Sequence, residues 1–465
     1  MMTDNSDNIT ALRKSANDNL GFFYLLNKLD LKSSLSKRYL YSQKFITDKH
    51  KLENEFDKIE TTISFLNDKK NDKIFSDTEN KLSQILDING TLQNLANSII
   101  LSDVELFEIK KFAILADEIK QLLLTFDLID LPDLSEAINI LDPENTRIQT
   151  FYIYDAYSCE LAVLRKSVKV KNENLSPELY QKIIEIEDEI RKQLTEKLHA
   201  YTQDLKTALS KVAYLDILIA KSKQAKTEHF CKPFIVDTNT FYQGLFNPQI
   251  KDLLHAQDRK YQHVDISFGQ YPTLITGINM GGKTVLLKTV ALAQYLCQYG
   301  FYIPANDARI ALVDKIMICM DDEQNHLQGL SSFAAEMKNV NEILSETNTN
   351  KRLLVLIDEL ARTTNPAEGS AIVNAMIDML AERNICSFIT THYDKITSTC
   401  RRLRVHGLLD NITVIKDEKK IEQYIDYSLV EEKTANVPHE AIRIAEMLGV
   451  NSELIEKAKN KMNDN

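Results

Sequence analysis

Residues 273–284 read TLITGINMGGKT. The run Thr273 to Thr276 has the length and β-branching of a buried strand. Gly277, four further residues and then Gly282-Lys283-Thr284 fit G-x-x-x-x-G-K-[ST], the pattern of a phosphate-cradling loop. Glycines at 277, 281 and 282 let backbone N–H groups turn inward around phosphate oxygens. The Lys283 amine then reaches the β/γ-phosphates and the Thr284 hydroxyl is placed to ligate Mg²⁺. Val285 to Tyr299 is mostly apolar and free of Gly and Pro, so it predicts a helix whose N-terminus faces the phosphates.

Working outward, 465 residues are too many for one core and predict two or three domains. The chain is 44% hydrophobic and 26% charged, an ordinary soluble profile. Its net charge of −11 gives no global attraction to nucleic acid, although a local basic patch can still exist. Six scattered cysteines form no C-x-x-C pair, which argues against zinc or a disulfide framework and suits a reducing cytoplasm. The polar start MMTDNSDNIT lacks the apolar core of a secretory signal. No run of eighteen apolar residues predicts a membrane span.

Glycine and proline divide the chain. Before residue 231 there are two glycines and three prolines; the other ten and six follow. A stretch nearly free of both, rich in Leu, Lys, Glu, Asn and Ile, reads as long helices. The expectation is an all-helical domain over 1–232 and an α/β domain from 233. Within the first, Ser176-Pro177-Glu178 combines an N-cap, a first-turn proline and an acid facing the helix dipole. Ile190, Leu194, Leu198, Tyr201, Leu205, Leu209, Val212 and Leu215 then trace one helical stripe. Carried to Lys226, that helix is roughly 70 Å long at 1.5 Å per residue. It reads equally as a lever arm or as one member of a plain bundle.

After a polar segment from Phe241 to Tyr271 and the phosphate loop, a strand is expected at Lys315 to Met320. Ser331 and Ser332 open a helix through Leu344, either as its cap or as an anion-binding N-terminus aimed at a second subunit's γ-phosphate. Leu353 to Ile357 forms a buried strand ending in Asp358-Glu359. Asp358 can hold Mg²⁺, and Glu359 can orient or deprotonate an attacking water. A further strand, Ile385 to Thr390, ends at Thr391-His392-Tyr393, which puts His392 where a γ-phosphate sensor belongs.

The succession GINMGGKT, GLSSF, LLVLIDELARTTNPAEG and TTHYD resembles the ATPase domain of the MutS family. The resemblance is carried by Asn279 and Met280 with Gly281-Gly282 inside the loop, Ser331-Ser332-Phe333, Asp358-Glu359 with Thr364-Asn365-Pro366, and Thr391-His392-Tyr393. It implies a P-loop (ABC-type) ATPase domain over 233–435, a helical core and lever domain before it, and a C-terminal helical dimerisation segment over 436–465. The tail from Tyr427-Ser428-Leu429-Val430 to Lys461 resembles that last segment. More loosely, Asp155 to Arg165 and Val212 to Ala225 resemble the helices leading to and from a DNA clamp.

Departures matter as much. Only Lys166 to Pro177 separates the two arm segments, where the family's repair proteins insert a clamp. No Phe-x-Glu tripeptide supplies a mismatch wedge, and nothing after Asn465 in this sequence supplies a nuclease-type Smr domain. Ala361 and Thr363 stand where glycines usually follow the acid pair.

The family resemblance implies ATP and Mg²⁺ as ligands and a homo- or heterodimer whose composite sites close over ATP and move the arms. With the clamp missing, the expected target is a protein. A clampless branch of the family is associated with reactivating cobalamin-dependent lysine or ornithine aminomutases. DNA is the alternative target, through Arg165, Lys166, Lys169 and Lys171. A scaffold that binds ATP with little hydrolysis is a third reading.

Overall fold

The computed structural model describes residues 20–170, 177–278, 281–320, 332–393, 395–409, 423–432 and 440–463. By packing, these divide into two units rather than at one point near 232. Residues 29–43 and 58–223 form the first; 20–28, 44–57 and 224–463 form the second.

The first unit is helical. Among its helices is Asp103–Leu122, opened by a capping box in which Ser102 and Glu105 satisfy each other's backbone N–H. Leu106, Ile109, Phe112, Ala113 and Ile119 of that helix are buried in one core with Leu194, Leu198, Leu205 and Leu209. The expected single helix from 177 to 226 is instead two, Pro177–His199 and Thr202–Thr227, of 23 and 26 residues. The Tyr201 N–H donates to the Leu198 carbonyl at 2.9 Å and the Thr202 hydroxyl to the His199 carbonyl at 2.7 Å, which closes the first helix with a tight turn. The apolar stripe runs through the break into the core, so over Ile190 to Ile219 the bundle reading holds. The expected cap Ser176 lies outside the described residues.

Two sheets build the second unit. One has the order β1 (Phe234–Val236), β5 (Asp307–Ala311), β2 (Thr240–Leu245), β3 (Val264–Phe268). The other has the order β10 (Ile425–Glu431), β9 (Arg401–Leu408), β4 (Pro272–Thr276), β8 (Cys386–Thr390), β7 (Leu353–Ile357), β6 (Lys315–Cys319). In the second sheet β6 to β9 are parallel with β4, and only β10 runs antiparallel. Every residue of β4 and β7 is buried, as the unbroken apolar runs require of a sheet covered on both faces.

The segment from Phe241 to Tyr271, read from the sequence only as polar, holds β2, β3 and the helix Pro248–His255. Tyr427 to Val430, grouped by resemblance with a helical tail, lies in strand β10; helices follow at Glu440–Met447 and Ser452–Asn463.

The early segments belong to this unit for an aromatic reason. Phe22 is fully buried, its ring 5.3 Å from Tyr299 and 6.0 Å from Tyr295, and Phe45 packs edge-on against the same two rings. Main-chain Ile46 donates to the Gln298 carbonyl at 2.8 Å and accepts from its side-chain amide at 2.9 Å. The 283–298 helix thus ends on residues that precede it by some 250 positions in sequence. No described helix is long and apolar enough to cross a membrane.

Candidate nucleotide site

Strand β4 ends at Thr276, and the loop that leaves it turns into the helix Lys283–Gln298. Gly277 and Gly282 have φ of +132° and +74°, backbone that side chains rarely adopt. A Cβ on Gly281 would stand 2.8 Å from the Ile278 carbonyl oxygen, so this position too needs a bare backbone. Asn279 and Met280 lie outside the described residues.

Lys283 is 5% exposed. Its Nζ donates to the carbonyls of Gly277 at 2.9 Å and Ile278 at 3.1 Å, so the ammonium is folded back into its own loop. Burial holds it below the ordinary lysine range, against the opposing pull of the Glu359 and Asp358 carboxylates. A buried ammonium whose hydrogen bonds among the described residues go to two carbonyls favours an anionic partner.

At the carboxyl end of β7, Asp358 accepts from the Thr284 hydroxyl at 2.6 Å and from the Thr390 hydroxyl at 2.7 Å. The Glu359 N–H donates to that same Thr390 oxygen at 2.7 Å. Register explains the meeting. Ile357 pairs with Ile389 and Ile275 with Thr390, so the ends of β4, β7 and β8 lie side by side. Thr390 was not singled out from the sequence, because strand pairing is invisible in a single run of residues. Thr284 and Asp358 present two hard oxygen donors next to each other, which suits Mg²⁺ held by few protein ligands and the phosphates.

Glu359 has φ of +46° and Ala361 φ of +60°. Left-handed backbone at a non-glycine residue costs on the order of 1–3 kcal/mol, so the turn after the acid pair is held under strain. Position 361 has the conformation a glycine would take freely, which accounts physically for the glycine usual there. Arg362 pairs with Glu359 at 2.9 Å. His392 is exposed two residues beyond Thr390, its ring centroid 4.3 Å from that of Tyr393. Ser332 begins the helix Ser332–Glu346, whereas Ser331 lies outside the described residues.

Beside the glycine loop opens a cavity of about 210 Å³. Gly281, Gly282 and Val285 form its floor, and Leu245, Ile250, Leu254, Tyr261, Val264 and Tyr427 its walls. Asn247 builds one wall by capping the helix Pro248–His255 through the Ile250 N–H at 3.3 Å, while its own N–H donates to the Tyr261 hydroxyl at 3.1 Å. On another side Gln262 bridges to β10, donating to Asp426 at 2.7 Å and accepting from the Tyr427 N–H at 3.0 Å. Apolar, aromatic and adjacent to the phosphate loop, this space suits a flat base stacked on a tyrosine. Tyr261 and Tyr427 carried no local signal, since they lie 166 positions apart in the chain.

Residues 273–464 match the family model for MutS domain V. The Endonuclease MutS2 of Caldicellulosiruptor saccharolyticus is 37% identical over 214 residues, 45% of this chain and 26% of that protein. That of Lacticaseibacillus casei is 32% identical over 277 residues, 57% of this chain and 33% of the relative. That of Fusobacterium nucleatum is 37% identical over 223 residues, 45% and 27% of the respective chains. The match therefore spans about a quarter to a third of the length of these relatives.

Proposed function

Because this chain belongs to the MutS family through its domain V segment, we propose that it is an ATP-hydrolysing switch whose target is DNA. The observation that carries the nucleotide part is the Thr284–Asp358 contact at 2.6 Å beneath a buried lysine. In this reading Lys283 exchanges its loop carbonyls for β/γ-phosphate oxygens. Thr284 and Asp358 hold Mg²⁺, which neutralises charge on the phosphates. Glu359 orients or deprotonates the attacking water, and His392 reads the γ-phosphate. The base stacks in the cavity between Tyr261 and Tyr427. Ser331 and Ser332 face the neighbouring subunit's nucleotide in a dimer, so that ATP favours a closed state and hydrolysis releases it.

The relatives' name moves the target from a protein, the first expectation, to DNA. One observation keeps the protein reading as a second. Arg165, nominated for phosphate contact, is bound to Asp155 and Glu187 at 2.7 Å each, and neighbouring Lys182 to Glu160 at 2.7 Å. Lys166 is exposed, while the side chain of Lys169 and all of Lys171 lie outside what is described.

The test has two arms. Glu359→Gln is expected to keep ATP bound and stop its hydrolysis; wild-type turnover by this variant removes Glu359 from the chemistry. Duplex and branched DNA are then titrated at about 150 mM salt with and without ATP. Nucleotide-dependent binding whose salt slope falls on Lys166→Glu supports the DNA target, whereas no binding in any nucleotide state returns the protein partner to first place.

A further inference from the structure

Ala361 is fully buried, and both of its main-chain polar atoms are held by side chains from distant elements. Its N–H donates to Glu336 Oε1 at 2.7 Å, and its carbonyl accepts from the Tyr393 hydroxyl at 2.6 Å. Glu336 belongs to the helix that opens at Ser332; Tyr393 follows β8 and is the neighbour of His392. Each of the three segments that carry candidate chemistry thus contributes one member to a single clamp.

That clamp grips the strained part of the site. Glu359 and Ala361 both have positive φ, and L-residues do not stay there without surrounding contacts that impose it. If either grip on Ala361 is released, the turn can relax toward right-handed backbone, and the Glu359 carboxylate moves with it. Gly369, in the helix Pro366–Glu382, shows how closely the tyrosine is seated. A Cβ built there would stand 2.2 Å from the Tyr393 hydroxyl oxygen and 2.3 Å from its ring carbon. Burial, reinforced by the Glu336 carboxylate, raises the Tyr393 phenol above its usual range, so it remains a proton donor at neutral pH.

We propose that Glu336 and Tyr393 are positioning residues that hold the Glu359–Ala361 turn in the conformation aiming Glu359 at the attacking water, and that Glu336 transmits movement of the Ser332–Glu346 helix into that turn. The proposal rests on Glu359 as the residue that handles water. It differs from a purely structural role in its kinetics. Lys283, Thr284 and the base cavity are outside the clamp, so its loss is expected to act on turnover and to leave ATP binding alone.

The experiment uses the full chain, with steady-state ATP hydrolysis and titration of a fluorescent ATP analogue on the same preparations. Tyr393→Phe and Glu336→Ala are each expected to lower kcat about ten- to a hundredfold, the range for small misplacement of a catalytic group, with analogue affinity within about twofold. Glu336→Gln keeps an amide oxygen to accept the Ala361 N–H and should retain most of the turnover. Gly369→Ala removes no polar group, and in an ordinary helix would be neutral or better; here it displaces the hydroxyl and should reproduce Tyr393→Phe. Ala361→Gly in the Tyr393→Phe background should recover part of kcat, because glycine adopts the left-handed turn unaided. Turnover at wild-type level in Tyr393→Phe and Glu336→Ala overturns the proposal. So does loss of analogue binding in step with kcat, which marks the clamp as structural. If Glu359→Gln hydrolyses ATP normally, the failure lies in the reading beneath, whatever the Tyr393 variants do.

Discussion

Lys110 in the first unit and Lys283 in the second are both buried, for opposite ends. In the first, Lys110 is wholly inaccessible and donates to Asp142 at 3.1 Å and to the Tyr154 hydroxyl at 2.7 Å. Asp142 is further held by the Arg147 N–H at 2.7 Å and the Thr146 hydroxyl at 3.0 Å. Burial pushes this carboxyl up, but those bonds together with Lys110 outweigh it and leave it below its usual range. The charge is answered inside the fold. In the second unit Lys283 is almost as buried, yet its Nζ hydrogen bonds go to two loop carbonyls. A lysine closed off by a carboxylate pins a core; one answered by dipoles remains open to a stronger anion.

The largest effect that separates them is on ligand affinity. Lys283→Met keeps the apolar stem and removes the ammonium. Two charge-assisted bonds at about 1.5–3 kcal/mol each put the expected loss of ATP affinity on the order of a thousandfold. Thermal unfolding of the apo protein should barely move. A normal Kd by calorimetry, or a large fall in Tm, would make Lys283 a second Lys110.

Lys110→Met is expected to do the reverse. It leaves Asp142 charged and buried without its cation, at a cost of about 3–5 kcal/mol in the first unit. ATP affinity of the folded protein should stay unchanged. Adding Asp142→Asn should recover much of the loss, since a neutral pair carries no stranded charge. Denaturant titration of the single and double variants checks this.

A third, intermediate effect is in pH. Lys283 has a folded pKa below its ordinary value, so its charged form is disfavoured by the apo fold. Between that lowered value and the ordinary one near 10.5, the apo protein therefore gains stability as pH rises, because the unfolded chain still binds the proton. ATP affinity moves the other way, since the ligand needs the ammonium, and falls as pH rises past the lowered value. Asp142 behaves as a depressed acid: its contribution is complete above the usual carboxylate range and is lost as pH falls through its lowered folded value. An ATP-affinity profile flat to the ordinary lysine pKa would place Lys283 away from the phosphates.

The smallest effect sharpens the separation of the units. Ser102→Ala removes one half of the capping box on the Asp103–Leu122 helix and should cost about 1 kcal/mol. Steady-state hydrolysis at saturating ATP should not change. A drop in kcat would show that stability of the first unit feeds directly into the chemistry of the second.

What could be read from residue order is what depends on neighbours in the chain. The loop from Gly277 to Thr284, the apolar runs that became β4, β7 and β8, and the acid pair Asp358-Glu359 all carry their structural meaning within a dozen positions. Strand length, β-branching and glycine at positive φ are local properties, so their pattern survives in one dimension. The stripe from Ile190 to Leu215 was equally local, although the two-residue turn that breaks it was not, since no glycine or proline marks Ala200 and Tyr201. Contacts across the chain had to wait for the folded molecule. Thr390 reaches Asp358 only because β7 and β8 pair with Ile357 opposite Ile389. Tyr261 and Tyr427 face one cavity because β10 folds back beside the loop. Phe22 and Phe45 join the second unit because Tyr295 and Tyr299 offer an aromatic surface that must be covered. The clamp on Ala361 likewise draws Glu336 and Tyr393 from 25 and 32 positions away. Burial and hydrogen bonding between such residues are decided by which surfaces meet when loops close, and a linear sequence holds no coordinate for that.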